Sequence, residues 1–390
     1  MTAEDRILYS RQSISTDDIE AVVAVLHSDL LTQGPCVPAF EQAVVAQVGS
    51  ACAVACNSAT SALHIACLAL GLGPGDHLWT SPITFVASAN CARYCGAEVG
   101  FVDVDPVTGN MSVAALENRL IAAEREDRLP RIVVPVHLAG LPCEMEAIAA
   151  LGRRFGFHII EDASHAIGAR YQGLPVGDGR YSDITIFSFH PVKIITTGEG
   201  GMALTLDAAL AGRLQLLRSH AITRDTQLMS HTPDGPWYYE QTGLGYNYRM
   251  TDMAAALGIS QMRRLHDFVA RRTLLADRYD QLLADLPLRL APRSEAGHSA
   301  WHLYIIRVDA KDRLALFEHM RADNLIVNVH YIPVYRQPYY AAFGYPPDDY
   351  PEAEQYYREA ISIPLHPGMS EQDQDRVVAS IRRYYAEKAA

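Results

Sequence analysis

Residues 51–70 read ACAVACNSATSALHIACLAL, and this stretch decides the fold. Residues 51–56 are small and apolar, which is typical of a strand that is buried on both faces of a sheet. Asn57 and Ser58 interrupt the apolar run, and residues 58–70 then carry apolar side chains at helical spacing. A buried strand that leads directly into a helix is half of a β-α-β unit, so the stretch predicts a parallel sheet.

The alternation of strands and helices continues to residue 160. Apolar runs predict strands at 77–80, 98–104, 131–136 and 157–160, and the segments between them predict helices at 84–94, 112–124 and 144–155. Parallel strands joined in this way are covered by helices on both faces of the sheet. The predicted fold class is therefore α/β.

The pattern changes near residue 251. An arginine-rich helical segment leads into mixed elements, which we predict as a helix at 252–283, a strand at 301–308, a helix at 311–321, a strand at 325–330 and a final helix at 371–385. We therefore predict a large domain at 1–257 and a smaller C-terminal α+β domain at 258–390. The large domain includes an N-terminal arm, in which Ser15 or Thr16 can cap a helix.

Composition excludes several classes of protein. The chain has 33 basic and 45 acidic side chains and a net charge of −12, which argues against nucleic acid or an anionic membrane as its main partner. No apolar run is long enough to span a membrane, and the first residues lack a secretory signal pattern, so we expect a cytoplasmic protein. The seven cysteines lack zinc-ribbon spacing, and we expect buried free thiols and no metal.

Lysine is scarce, because the 33 basic side chains include only Lys193, Lys311 and Lys388. None of the three follows a glycine, which excludes the phosphate-binding loop of nucleoside triphosphatases. Lys193 lies in FSFHPVKIITTGEGG, residues 187–201, among apolar residues, threonines and glycines. An apolar setting lowers the pKa of an amine and makes it nucleophilic, although the stem of a lysine can also be buried while its head reaches solvent.

Two further elements are placed to bind a cofactor. Asp162 lies just beyond the predicted strand 157–160, where open α/β sheets bind ligands. A carboxylate there suits the ring nitrogen of pyridoxal phosphate (PLP), or it caps the following helix. Residues 57–61, NSATS, end a strand and open a helix, so their backbone N–H groups can hold a phosphate or form an ordinary helix cap.

A phosphate-binding turn, an aspartate and a lysine follow one another in the order that PLP enzymes of fold type I, the aspartate aminotransferase type, require. Over nearly its whole length the chain resembles the DegT/DnrJ/EryC1/StrS group of nucleotide-sugar aminotransferases. The segments FSFHPVK (187–193), GPWYYE (235–240) and GYNYRMTD (245–252) are particularly similar to the branch of 4-aminotransferases in pseudaminic acid biosynthesis.

The resemblance implies roles for individual residues. Lys193 would bind PLP covalently and serve as the catalytic acid and base, and Asp162 would pair with the ring nitrogen. The other implied cofactor contacts are Ala59, Thr60 and Ser188 at the phosphate, Phe85 on the ring face, His165 beside the ring, and Asn247 from a neighbouring subunit. The implied substrate-side residues are Thr32, Gln33, Arg249, His330 and Tyr331. Taken alone, Phe85 would suit core packing and His165 would suit a hydrogen-bonded buried histidine.

The reaction implied by the resemblance is transfer of an amino group from glutamate to C4 of a UDP-linked 4-keto-6-deoxy-N-acetylhexosamine. It would take place in a homodimer with shared active sites. One alternative is the same chemistry on another UDP- or dTDP-4-keto-6-deoxy sugar. Another is a regulatory protein that binds PLP without turnover. A dehydratase branch of the family carries histidine at the lysine position, and Lys193 argues against it.

Overall fold

The structure is a computed structural model that describes residues 6–389. The helices are, in chain order, α1 (Thr16–Leu26), α2 (Cys36–Val48), α3 (Ala59–Ala69), α4 (Ala87–Tyr94), α5 (Val113–Arg125), α6 (Met145–Phe155), α7 (Ala208–Arg218), α8 (Asp252–Met262), α9 (Leu265–Leu283), α10 (Arg313–Ala322), α11 (Pro338–Ala341), α12 (Pro351–Glu359) and α13 (Glu371–Ala389). The strands are β1 (Ile7–Leu8), β2 (Cys52–Cys56), β3 (His77–Thr80), β4 (Glu98–Phe101), β5 (Ile132–Val134), β6 (His158–Asp162), β7 (Arg170–Tyr171), β8 (Leu174–Pro175), β9 (Ile184–Ser188), β10 (Gly201–Thr205), β11 (Ile222–Thr223), β12 (Glu240–Gln241), β13 (Gly297–His298), β14 (Tyr304–Arg307), β15 (Leu325–Ile326) and β16 (Ala360–Ile363).

A seven-stranded sheet in the order β2-β10-β9-β6-β5-β3-β4 forms the centre of the fold. The pairs from β9 to β4 are parallel, whereas β10 is antiparallel to both β2 and β9. The predicted α/β class with a mostly parallel sheet is thereby confirmed. Strands β9 and β10 were not predicted, and β10 reverses direction because the segment between them contains no crossover helix.

Three strands of this sheet end at the same edge. Strands β2 and β9 both run antiparallel to β10, and β9 is parallel to β6, so the three point in one direction. Their last residues are Cys56, Asp162 and Ser188. The turn after β2 leads into α3, where the Ser58 hydroxyl accepts the N–H of Ser61 at 3.1 Å. The residues that the sequence analysis singled out therefore meet at one edge of the sheet.

The predicted continuous helix at 252–283 is two helices, α8 and α9. The side chains of Gln261 and Arg264, on either side of the break, both bind the buried Asp18 carboxylate of α1, with Gln261 Nε2 at 2.7 Å. The break between α8 and α9 thus lies where the chain contacts α1. The predicted domain boundary at residue 257 falls within α8 and stays a prediction.

The C-terminal elements form a smaller sheet with its own apolar core. Strand β14 pairs antiparallel with β16, and helices α9, α10 and α13 contribute buried side chains to one cluster around it, including Tyr279, Leu316 and Val377. The strand predicted at 325–330 is shorter, because β15 ends at Ile326. Strand β1 of the N-terminal arm pairs with β15, so the arm contacts the C-terminal part of the chain.

The helix predicted in the N-terminal arm is confirmed as α1. The Ser15 hydroxyl accepts the N–H of Asp18, and the Asp18 carboxylate accepts the N–H of Ser15, which forms a capping box. Its apolar residues Ile19, Val23 and Leu26 are 57%, 42% and 54% exposed. In a single chain, α1 therefore presents an apolar face to solvent.

The remaining predictions from composition concern thiols, membranes and metals. All seven cysteines are free, and five of them are buried, while Cys36 and Cys52 are partly exposed. Within residues 6–389, no helix combines the length and the apolar character needed to cross a bilayer. Within the same residues, no group of three or more His, Cys, Asp or Glu side chains is arranged to hold a metal ion.

We expect Gly201→Ala to destabilise the fold, because β10 approaches the start of α3 closely at this glycine. A methyl group there would lie 2.3 Å from the Ala59 nitrogen and 2.4 Å from the Ser58 carbonyl carbon. We expect the free energy of unfolding, measured by urea denaturation, to fall by about 3 kcal/mol.

The matched control is Gly212→Ala in α7, where an added methyl group meets no atom within 4 Å. Because alanine favours a helix over glycine, this change should raise the free energy of unfolding by about 0.5 kcal/mol. Equal midpoints for Gly201→Ala and the wild type would contradict the predicted clash.

Candidate active site

A cavity of about 870 Å³ opens at the edge where β2, β6 and β9 end. The start of α3, the segments after β6 and β9, the segment that follows β15 and Tyr9 of the N-terminal arm line it. Nine of the thirteen predicted site residues line this cavity: Lys193, Asp162, Ala59, Thr60, Ser188, Phe85, His165, His330 and Tyr331. The other four, Thr32, Gln33, Asn247 and Arg249, lie outside it.

The Lys193 side chain lies in the cavity, and burial lowers its pKa to about 8, against an opposing effect of the Asp162 charge. An amine with such a pKa is partly neutral near physiological pH and is therefore nucleophilic. The backbone before it is held by Ser10 of the arm, whose hydroxyl donates to the Val192 carbonyl at 2.7 Å. The Lys193 N–H donates to the His190 carbonyl at 2.9 Å.

Asp162 is the last residue of β6, and its side chain is buried. One carboxylate oxygen accepts the N–H of Ser164 at 3.1 Å, and the other accepts the hydroxyl of Ser88 at 2.6 Å. A buried carboxylate needs such donors to offset the loss of water. Asp162 is thus held as an oriented negative charge beside Lys193.

The first turn of α3 offers N–H groups that suit an anion in the cavity. The first N–H groups of a helix lack partners within the helix, and its N-terminus carries partial positive charge. Ser58 takes the N–H of Ser61, so the N–H groups of Ala59 and Thr60 are left at the wall of the cavity. The side chain of Ser188 lies at the same wall. Together these groups suit a phosphate.

Partners on both ring nitrogens define the tautomer of His165. The Ala139 N–H donates to Nδ1 at 3.3 Å, so the ring proton lies on Nε2, which is 3.1 Å from the Tyr331 hydroxyl. Burial and the nearby Lys193 charge hold the pKa of His165 well below its ordinary value, so the ring is neutral. Because Tyr331 accepts the proton of His165, its own O–H is free to donate to a ligand in the cavity.

His330 also lines the cavity. Its Nδ1 lies 2.7 Å from the Ser362 hydroxyl, and its ring is 5.2 Å from that of Tyr9. Burial, followed by the charge of Lys193, lowers the pKa of His330 to about 3. Phe85 lies 6.4 Å from the Tyr331 ring and is 58% exposed, so its face is available to a ligand.

The four predicted residues outside the cavity lie together beside the turn after β2. Arg249 pairs with Cys56 at the end of β2, and Thr32 pairs with Thr251. The side chains of Thr32, Gln33 and Asn247 are exposed. The single chain therefore presents this group on its outer surface, next to the cavity.

Tyr9 and His302, which line the cavity, and Ser88, which supports Asp162, are among the residues that sequence reasoning did not single out. The His302 ring packs against His165 with centroids 4.3 Å apart. Ser88 follows Thr84 by four residues, which places both hydroxyls on one face of a helical turn, and this spacing is the signal that could have found it. No local signal exists for Tyr9 or His302, because they reach the cavity through non-local contacts.

A lysine of lowered pKa, a buried aspartate and a helix N-terminus meet at the carboxyl edge of a mostly parallel sheet, an arrangement that suits the PLP-dependent enzymes of fold type I. Residues 12–382 match the DegT/DnrJ/EryC1/StrS aminotransferase family. The chain belongs to this family and is a sugar aminotransferase.

Relatives match over almost the whole chain. Spore coat polysaccharide biosynthesis protein SpsC of Bacillus subtilis strain 168 is 38% identical over 381 residues, which are 96% of each chain. The structure of Helicobacter pylori PseC, an aminotransferase involved in the biosynthesis of pseudoaminic acid, superposes with a TM-score of 0.90 at 29% identity and covers 98% of this chain and 100% of its own. The PLP form of the putative sugar aminotransferase Spr1654 of Streptococcus pneumoniae gives 0.88 at 27% identity, with 98% and 99% covered.

The family uses PLP, and the residues of the cavity fit this cofactor. The N–H groups of α3 suit its phosphate, the Asp162 carboxylate suits its ring nitrogen and the Lys193 amine suits its aldehyde. The cavity volume of about 870 Å³ falls in the range usual for cofactor sites. The roles of the individual residues remain predictions.

We expect Lys193 in the cofactor-free protein to react with a small acylating reagent as the pH rises through about 8, since burial lowers its pKa to that value. Peptide mass spectrometry would follow the rate at each lysine. Lys311 is the control, because its ion pair with Asp309 raises its pKa above the ordinary 10.5. Its labelling should therefore rise only at much higher pH. A shared midpoint for both lysines would contradict the assignment.

Proposed function

We propose that the protein transfers the amino group of glutamate to C4 of a UDP-linked 4-keto-6-deoxy-N-acetylhexosamine, in sugar biosynthesis of the pseudaminic acid type. The observation that supports this substrate is the full-length likeness to PseC, together with the segments around Lys193, Trp237 and Asn247. The cavity supports the chemistry, because it combines a nucleophilic amine with groups suited to a phosphate and a ring nitrogen.

Two side chains carry the chemical step in this proposal. Bound PLP supplies an electron sink that acidifies the α-proton of the amino donor. The Lys193 amine, with a pKa of about 8, can take up a proton and return it near neutral pH. The Asp162 carboxylate holds a proton at the ring nitrogen, so that the ring continues to withdraw electrons.

Tyr331, His165 and His330, which line the cavity together with Lys193, suit a sugar. Tyr331 offers an O–H donor whose pKa is raised by burial, so it stays protonated across the working pH range. His165 and His330 are neutral there and add no charge. Hydrogen-bond donors and acceptors without charge match the hydroxyl and keto groups of a 4-keto sugar.

We further propose a homodimer that completes each site. None of the residues lining the cavity is an arginine, yet a nucleotide diphosphate and a donor carboxylate both call for cations. Asn247 and Arg249 lie outside the cavity of their own chain, and the apolar face of α1 is exposed. Trp237 and Leu244, close in sequence to Asn247, are 70% and 77% exposed. A second copy that covers these surfaces would bring its Asn247 and Arg249 to the cavity.

Two alternatives follow from the same features. Another UDP- or dTDP-linked 4-keto-6-deoxy sugar would use the same amine and the same phosphate-binding turn. A protein that binds PLP without turnover would retain the same residues too.

We propose the cytoplasm as the location, because the seven free thiols suit a reducing compartment.

A substrate panel tests the proposed reaction. The purified enzyme is incubated with glutamate and with each of several UDP- and dTDP-4-keto-6-deoxy sugars, while 2-oxoglutarate, the cofactor spectrum and the product mass are followed. We expect one UDP-linked N-acetylhexosamine to be aminated, and we expect Lys193→Ala to abolish this product. Amination of a dTDP sugar instead would support the first alternative, and no 2-oxoglutarate with any sugar would support the second.

Subunit mixing tests the shared site. Lys193→Ala and Asn247→Ala should each lower kcat/KM strongly in separate preparations. Heterodimers formed by mixed refolding contain one site with both residues intact, so random pairing of the two variants should restore about a quarter of wild-type activity. Variants that carry different affinity tags are the control for exchange, because only a heterodimer is retained through both tags. An inactive mixture despite proven exchange would place Lys193 and Asn247 in the same chain's site.

A further inference from the structure

Three buried side chains, those of Asp162, Ser88 and Thr84, form a hydrogen-bonded chain beside the cavity, and Asp162 and Thr84 also line it. Ser88 donates to the Asp162 carboxylate at 2.6 Å, and the Ser88 and Thr84 hydroxyls are 2.8 Å apart. Ser88 is 0% exposed, Thr84 2% and Asp162 4%. No bulk water reaches these groups, so their hydrogen bonds to one another determine where the protons lie.

The direction of the hydrogen bonds in this chain follows from Asp162, at which the chain ends. A carboxylate only accepts hydrogen bonds, so Ser88 must donate its single proton to Asp162. The Ser88 oxygen can then only accept from its neighbour, and Thr84 must donate to it. Both O–H dipoles therefore point towards the negative charge of Asp162. Dipoles aligned in this way strengthen one another and stabilise the charge.

The same short segment also carries Phe85. Thr84 and Ser88 are one helical turn apart, and Phe85 lies between them with its ring exposed to the cavity. The segment is fixed from the other side, since the Val334 N–H donates to the Pro82 carbonyl at 3.0 Å. The same turn therefore carries the Phe85 ring and the two hydroxyls that support the Asp162 carboxylate.

We propose that Ser88, backed by Thr84, is a positioning residue that orients the Asp162 carboxylate towards the cofactor ring nitrogen and stabilises its negative charge. Two donors, the Ser88 hydroxyl and the Ser164 N–H, occupy part of the carboxylate, and Asp162 also lines the cavity. A carboxylate whose negative charge is stabilised in this way would leave the shared proton on the ring nitrogen. Ser88 does not line the cavity, so it would act through Asp162, and Thr84 would act through Ser88.

This inference rests on the proposed role of Asp162 and not on the identity of the sugar. Its test therefore uses the PLP-loaded enzyme without a sugar substrate. Two quantities are measured: the affinity of the cofactor-free protein for PLP, and the ¹⁵N chemical shift of the ring nitrogen in enzyme loaded with ¹⁵N-labelled PLP. The shift reports protonation of that nitrogen, which a purely structural role of Ser88 would not change.

We expect Ser88→Ala to weaken PLP binding about tenfold, which corresponds to about 1.4 kcal/mol, at the lower end for a hydrogen bond to a charged group. The ¹⁵N shift should move towards that of an unprotonated ring, because the carboxylate loses a donor that stabilises its negative charge. Thr84→Val, which removes only the outer donor, should change both quantities in the same direction by about twofold to threefold in affinity.

The matched control is Ser380→Ala. Ser380 is also buried and donates to a carboxylate, that of Asp323 at 2.5 Å, but it lies in α13 away from the cavity. This change should leave PLP affinity and the ¹⁵N shift unaltered. Its unfolding midpoint shows what the loss of a buried serine hydroxyl does to stability alone.

The Asp162→Asn variant distinguishes the proposed role of Ser88 from the proposed role of Asp162, on which it rests. An unchanged ¹⁵N shift in Asp162→Asn would overturn the role of Asp162 and, with it, the role of Ser88. A shift that moves in Asp162→Asn but stays at the wild-type value in both Ser88→Ala and Thr84→Val would overturn the role of Ser88 alone. Graded movement from Thr84→Val through Ser88→Ala to Asp162→Asn would support the proposal.

Discussion

The common direction of β2, β6 and β9 is the constraint on which the rest of the site depends. Side chains that lie far apart in sequence meet at the ends of these strands because parallel strands place their carboxyl ends at one edge. The antiparallel β10 lies between β2 and β9. Because Gly201 of β10 has no side chain, the start of α3 can lie close to this strand. Without that close approach, the phosphate-binding turn would not lie beside Lys193.

Low polarity around Lys193 is maintained by histidines that carry no charge. His165, His302 and His330 all have lowered pKa values, chiefly because they are buried. They supply hydrogen bonds to the cavity while adding no positive charge near the amine. Asp162 provides the opposite charge, and its hydrogen bonds to Ser88 and Ser164 allow it to remain buried. The buried charges of the site are thus the Lys193 amine and the Asp162 carboxylate, while the exposed Glu199 also lines the cavity.

Local patterns in the sequence were sufficient for most of the fold. The run at 51–70 predicted β2 and α3, and the position of Asp162 after an apolar run predicted the edge of the sheet that binds ligands. The break between α8 and α9 could not be predicted, because it depends on Asp18, far away in α1. The hydrogen bond from Ser88 to Asp162 and the place of Tyr9 are likewise products of tertiary packing, for which one sequence holds no periodic signal.

The pairing of β1 with β15 also has a consequence for the order of events during synthesis. Ile7 is synthesised before every strand of the central sheet, and its partner Leu325 is synthesised after all of them. Until then, Tyr9 and Ser10 have no strand to anchor them, and the backbone at Val192 lacks its clamp. The cavity can therefore be closed only after β15 has been synthesised, which is after β2, β6 and β9 have all emerged.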